Sequence, residues 1–358
     1  MTCEGDRRAV PSLMYIIDKG RNLFKKFRCC LQVIILSNPM FDVIKEDLEH
    51  LEEVLLRAVS SKEELVTEIG THLVSSGGKR IRPALCLLAA HGGRQFDLGR
   101  VIPLAAALEL IHTASLVHDD VIDEADTRRG VATANAKWGN QAAILSGDYI
   151  FARAFQLIAE NDYGSYVSNR LAELVCNLSV GEIIQDRQMY QACCDMDNYY
   201  DRISKKTADF LEICCELGGI VGGMEKEDTQ KLAAYGHAIG MAFQITDDLL
   251  DIMETSEQIG KPVGNDIRQG IVTLPVIRAL SVSPDAEELR AIVTNPEMTE
   301  EMTGRALEIV RATDGAEMAQ DRAESYLRQA KEVLPDSLPP EIHEAFCMVA
   351  DFIGERDF

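Results

Sequence analysis

From Phe41 onward, apolar residues recur every three or four positions, the spacing of helices that bury one face. Val43, Leu48, Leu51, Leu55 and Val59 form the first such stripe. Period-two alternation is absent as a convincing pattern, so strands are not predicted. No proline lies between Pro103 and Pro262, which leaves room for several uninterrupted helices. Breaks are predicted at Ser75-Ser76-Gly77-Gly78, His91-Gly92-Gly93, Gly218-Gly219 through Gly222-Gly223, and Gly260-Lys261-Pro262. Ser283-Pro284, Asn295-Pro296 and Pro339-Pro340 mark further ones. The pattern predicts an all-α, single-domain bundle of roughly a dozen helices over residues 38–358. Residues 1–37 are basic and poorly periodic, and two readings stand: a mobile extension, or a mis-assigned start with Met40 as the true one.

Charge narrows the possible partners. The 358 residues carry 36 Lys+Arg against 58 Asp+Glu, a net charge of −22. Phosphate backbones and anionic lipid repel such a chain, which argues against generic nucleic-acid binding. An anionic substrate must then meet a local basic cluster or bridging cations. Ten cysteines form no C-x-x-C pair, and a reduced, cytoplasmic chain is expected. The longest apolar run near the start, Leu31 to Leu36, is too short for a bilayer, and no transmembrane segment is expected.

Two acidic clusters carry the candidate chemistry. DDVID covers Asp119 to Asp123 and DDLLD covers Asp247 to Asp251. Positions i and i+4 share one helical face, so Asp119 converges with Asp123 and Asp247 with Asp251. Like charges at that spacing repel unless cations lie between them, and Mg²⁺ suits carboxylates shared with phosphate oxygens. A solvated acidic face is the plainer reading. Apolar flanks around both clusters argue against it: Leu116, Val117, Val121 and Ile122 at the first, and Phe243, Leu249, Leu250 and Ile252 at the second.

Basic residues supply the complement. GGKRIRP (Gly77 to Pro83) opens an apolar helix, placing Lys79, Arg80 and Arg82 at the positive end of its dipole. Cations gather there if they share an anion, so the segment reads as a diphosphate cradle or, more plainly, as a basic surface turn. Arg128 and Arg129 follow the first cluster by one or two turns, where a helix C-terminus would favour them in any case. His112 precedes Asp119 by seven residues and shares its face, as a site residue or a satisfied core histidine. Taken singly, Lys206, Thr207, Gln244 and Lys261 say little.

Together, GGKRIRP, HTASLVHDDVIDEADTRRG, GDYIFARAF, KTADF, QITDDLLDI and GKPVGNDIRQGIVTLP, in this order over about Leu48 to Leu280, resemble the all-trans polyprenyl diphosphate synthases, head-to-tail prenyltransferases. The resemblance implies an isoprenoid-synthase-type bundle around a central cavity, about two or three Mg²⁺ per active site, and usually a homodimer. By motif, Asp119, Asp123 and Asp247 look like metal ligands, with Asp251 completing the second site. Arg128, Lys206, Thr207, Gln244 and Lys261 would contact the allylic diphosphate. Lys79, Arg82, His112 and Arg129 would hold isopentenyl diphosphate. Ile271 departs from the lysine that many relatives carry before the TLP segment.

The resemblance also bears on product length. Short-chain members carry bulky aromatics at the fourth and fifth positions before the first cluster, where this chain has Ser115 and Ala114. A growing tail can therefore pass along the helix from Val101 to His118, about 27 Å, or about six isoprene units. A product of about C30–C50 follows, most simply about C35–C40, suited to a quinone side chain and to transfer into a membrane. Leu104, Leu108 and Ile111 are candidate stops. Farnesyl or geranylgeranyl diphosphate would prime the reaction. Two rivals remain: a non-catalytic or obligate partner subunit of a two-component synthase, working with a small accessory chain, and a class I terpene cyclase. Both intact acidic clusters weigh against the first, and the GGKRIRP cradle against the second.

Overall fold

A computed structural model describes residues 39–192, 195–253 and 263–355. The expected extension over 1–37 and the expected phosphate contact Lys261 lie outside them. A 3₁₀ turn (Pro39–Ile44) leads into α1 (Lys45–Ala58), α2 (Glu64–Ser75), α3 (Ile81–His91) and α4 (Leu98–Ile122). A two-stranded ribbon, β1 (Thr127–Arg128) and β2 (Val131–Ala132), precedes α5 (Ala134–Trp138), α6 (Asn140–Glu160), α7 (Gly164–Gln188) and α8 (Met196–Ile203). A π turn (Ser204–Ala208) joins α8 to α9 (Asp209–Val221), followed by α10 (Lys226–Met253) and α11 (Asn265–Arg268). The rest is α12 (Leu274–Val282), α13 (Ala286–Val293), α14 (Glu300–Arg311), α15 (Gly315–Val333) and α16 (Pro340–Gly354). Among the described residues the all-α expectation therefore holds. The helices outnumber the expected dozen because short pieces such as α5 and α11 punctuate the connections.

The hub is α4. Apolar on every side, it has to be enclosed, and α1, α3, α6 and α9 surround it. By length and composition α4 and α6 could each cross a membrane, but 72% of the most apolar stretch of α4 is buried within the protein. The first predicted stripe holds: Leu48, Leu51, Leu55 and Val59 are buried, while Val43, just before α1, is exposed. One predicted break holds only in its second half. Gly218 and Gly219 lie inside α9, and the chain turns only at Gly222-Gly223. These glycines serve close approach instead. A Cβ on Gly218 would sit 2.2 Å from the Cys86 carbonyl oxygen, and one on Gly222 2.3 Å from that of Ala90, so α9 meets α3 backbone to backbone.

Arg80 also corrects the sequence picture. It is buried at the start of α3, with φ +48°, and faces the core rather than an anion. Its Nε donates to Glu52 Oε1 at 2.6 Å, one terminal nitrogen to Glu109 Oε1 at 2.7 Å, and the other to the Val74 carbonyl at 2.8 Å. This ties α1, α2, α3 and α4 together. Arg80→Ala would leave the Glu109 carboxylate buried without its cation. The expected cost is roughly 3 kcal/mol of unfolding free energy, measured by urea titration.

Candidate active site

Both acidic clusters end a long helix. Asp119 lies in the last turn of α4, and Asp123 caps it, its N–H bonding to the Asp119 carbonyl at 2.8 Å. Asp247 and Asp251 occupy the last two turns of α10. Carboxylates at the negative end of a helix dipole are unfavourably placed. Asp119 is half-buried, whereas Asp123 and Asp247 are exposed, so the apolar flanks do not enclose these two.

In each cluster the enclosed member is the second aspartate, about 100° further round the helix. Asp120 is buried and accepts from Arg128 Nε at 2.6 Å. Asp248 is buried and accepts from Tyr199 Oη and Gln244 Nε2, each at 2.8 Å. Thr207 Oγ1 donates to Gln244 Oε1 at 2.9 Å, extending this second chain of bonds. Burial pushes the Asp248 carboxyl up to about 6.

The charge of Lys206 acts on Asp119 and Asp123 of the first cluster and on Asp266 beside the second. On α7, Glu182 pairs with Lys206 Nζ at 3.3 Å, and Gln185 Oε1 accepts from Nζ at 3.0 Å. Burial first, then the negative charge of Glu182, pushes Asp119 up to about 6. Asp266 is pushed well above the usual carboxylate range by burial and by Asp248, Asp251 and Asp247. Asp251 has a task the sequence did not predict: its two oxygens accept the backbone N–H groups of Asn265 and Asp266 at 3.0 and 2.9 Å. It thereby caps α11 and holds Asp266 beside the second cluster.

The basic side is built on two turns. Gly77 and Gly78 take φ of +85° and +146°, which glycine adopts without strain, ahead of Lys79. Arg129 and Gly130 both have positive φ, the two-residue turn favoured in tight hairpins, and so pair Arg128 with Val131. The arginine pair thus sits on a ribbon rather than on a continued helix. Arg129 donates to the Gly77 carbonyl, joining the two turns. Arg82 lies 3.2 Å from His112 Nε2 and stacks on Phe210, with its centre 4.9 Å from the ring centroid. Its buried Nε has no hydrogen-bond partner among the described residues. Burial, together with Arg82, Arg129, Arg128 and Arg80, holds His112 well below the usual histidine range, so it is neutral. Lys79 is exposed, with Nζ 4.8 Å from the centre of the Phe352 ring on α16.

Sequence reasoning missed Glu182, Gln185, Asp266, Tyr199 and the inward roles of Asp120 and Asp248. Glu182 and Gln185 have helical i,i+3 spacing but sit in a segment with no other signal. Asp119, Asp123 and Glu182 offer only oxygen ligands, a donor set that fits a hard divalent cation such as Mg²⁺.

Two acidic clusters at helix ends, with Lys206 acting on the first and on Asp266 beside the second, and a separate arginine–histidine pocket define the class: a trans-prenyltransferase. The polyprenyl synthetase family matches residues 63–310, and the chain belongs to that family. It is 42% identical over 324 residues to heptaprenyl diphosphate synthase component 2 of Geobacillus stearothermophilus, covering 89% of this chain and 98% of that protein. Octaprenyl diphosphate synthase of Escherichia coli (strain K12) is 36% identical, covering 88% of this chain and 98% of that protein. Among solved structures, polyprenyl synthase from Caulobacter crescentus CB15, complexed with calcium and isoprenyl diphosphate, superimposes with a TM-score of 0.83. It is 31% identical, with 89% of this chain and 98% of that one covered.

Proposed function

We propose that this chain adds isopentenyl diphosphate repeatedly to an allylic diphosphate primer, farnesyl or geranylgeranyl diphosphate, and releases a long-chain all-trans product of about C30–C50. The observation that supports this reading is Lys206, held by Glu182 and Gln185, with its charge acting on Asp119 and on Asp266. Asp119, Asp123 and Asp247 hold Mg²⁺, which supplies Lewis-acid stabilisation of the charge on the departing diphosphate. Asp266, kept in place by Asp251, borders the same site. Lys206, Thr207, Gln244 and Arg128 orient the primer's diphosphate, and Lys261 joins them. Lys79, Arg82, His112 and Arg129 hold isopentenyl diphosphate, and the unpartnered Nε of Arg82 is a donor at hand for it.

The primer's C–O bond breaks to give an allylic cation and diphosphate. The isopentenyl double bond attacks that cation, and one proton passes to the released diphosphate, which leaves an allylic diphosphate longer by one unit. The apolar face of α4 keeps water from the cation. Purified protein, labelled isopentenyl diphosphate, primer and Mg²⁺ should yield labelled long-chain diphosphates by mass spectrometry. No extension, even after a cell extract is added, would remove the reading.

Two assembly readings accompany it. A homodimer is supported by the outer faces of α6 and α7, where Ile144, Leu145, Val180 and Ile183 are 43–60% exposed. A two-component enzyme is supported by the relative called component 2; activity appearing only with extract would favour it.

The carboxyl shift predicts a pH dependence. Asp119 rises from 3.8 to about 6, so the metal-free fold favours its protonated form. That contribution to stability is present below about pH 4 and is lost as pH rises through about 6. A cation offsets the loss only where the carboxylate is ionised. The melting temperature should therefore rise by several degrees with Mg²⁺ at pH 7.5, and by much less at pH 5. A pH-independent rise would take Asp119 out of the metal site.

A further inference from the structure

The chain segment that carries Lys206 and Thr207 is not an α-helix. Across Ser204–Ala208 it forms a π turn, closed by the Asp209 N–H bonding to the Ser204 carbonyl five residues back. Such turns are rare and gather at functional sites. Side chains tie the same two residues a second time, since Ser204 Oγ donates to Asp209 Oδ1 at 2.7 Å. A third group comes from α10: His237 Nε2 lies 3.0 Å from Ser204 Oγ. A carboxylate only accepts, so the hydroxyl gives its proton to Asp209 and takes the N–H of His237. Burial holds His237 below the usual histidine range, in keeping with a neutral ring that carries one N–H. Asn177 Nδ2 donates to the other Asp209 oxygen at 3.3 Å.

Seven residues after His237, two turns along the same face of α10, Gln244 accepts from Thr207 at the far end of the π turn. Between them Gly240 brings the helix backbone against the turn: a Cβ there would lie 2.5 Å from Ala208 Cα. Thus α10 grips the turn at its first residue through His237, at its last through Gly240 and Gln244, and places Lys206 between the grips. Glu212 completes a group with Asp209 and His237 whose donor atoms lie within 4.8 Å of one another, and Arg170 lies 3.4 Å from it.

We propose that Ser204, Asp209 and His237 are positioning residues, a hydrogen-bonded clamp that sets the π turn and so aims Lys206 and Thr207 at the primer's diphosphate. The inference rests on the assignment of those two side chains to the allylic diphosphate. Steady-state kinetics of the full chain test it, varying primer and isopentenyl diphosphate separately. Ser204→Ala should raise the primer KM about three- to tenfold. The isopentenyl KM should change by less than about twofold, and the melting temperature by no more than about a few degrees. Ser204→Thr, which keeps the hydroxyl, should restore the primer KM, and His237→Gln, which keeps a donor, should do better than His237→Ala. An unmoved primer KM in Ser204→Ala, a parallel rise for both substrates, or no rescue by threonine would overturn the clamp. Lys206→Ala separates the two failures: if it too leaves the primer KM unmoved, the diphosphate assignment itself is wrong.

Discussion

Asp119→Ala and Asp247→Ala are each expected to lower turnover by about three to five orders of magnitude with the fold intact. The size follows from what these carboxylates face. The leaving diphosphate gathers negative charge as the C–O bond opens, and a chain of net charge −22 has little to offer it without bridging cations. Local stability should change little, because the members of each cluster that pack into the bundle are Asp120 and Asp248. Removing Asp119 even relieves a half-buried carboxyl already pushed up to about 6. Single-turnover assays in saturating Mg²⁺, with circular dichroism as the folding control, give the answer. Near-normal rates would falsify the metal assignment.

Phenylalanine at position 114 is expected to shorten the product to about C15–C20, and at 115 to act in the same direction. Ala114 is fully buried, and Ser115 is half-buried with its hydroxyl on the His112 carbonyl. Ser115, Leu108 and Leu104 precede Asp119 by 4, 11 and 15 residues, close to one helical stripe, so a chain growing from Asp119 is expected to run along them. Ile111, Leu108 and Leu104 are fully buried further along α4 and are the candidate end of the path. A ring at 115 sits at the start of that stripe, and one at 114 on the adjoining face of the same turn, so either is expected to stop growth early without touching a carboxylate. Chromatography of the dephosphorylated products measures the shift, and an unchanged length would place the tail on another helix.

Much of this was legible in the sequence because the signals are local. Three- and four-residue spacing reports one helix face, and i,i+4 aspartates report one pair of converging carboxylates. What escaped depends on partners distant in the chain. Asp120 looks like Asp119 until the ribbon folds Arg128 back onto it, and Asp248 looks like Asp247 until Tyr199 arrives from 49 residues away. Arg80 sits between two cations of the proposed cradle, yet its partners Glu52 and Glu109 come from other helices. Glycines at 218 and 219 spell a turn in isolation and a helix crossing in three dimensions. The hairpin over Arg128–Val131 is two residues per strand, too short to show any alternation.

The Asp120–Arg128 bond has a consequence for redesign. It moors the working end of α4 to the neighbouring ribbon, independently of whatever lines the helix four or more residues upstream. The upstream stripe and the carboxylate-bearing end therefore share one rod but hang from separate fastenings. Product size is expected to respond to substitutions along the upper rod, one side chain at a time, while the reactive end keeps its alignment.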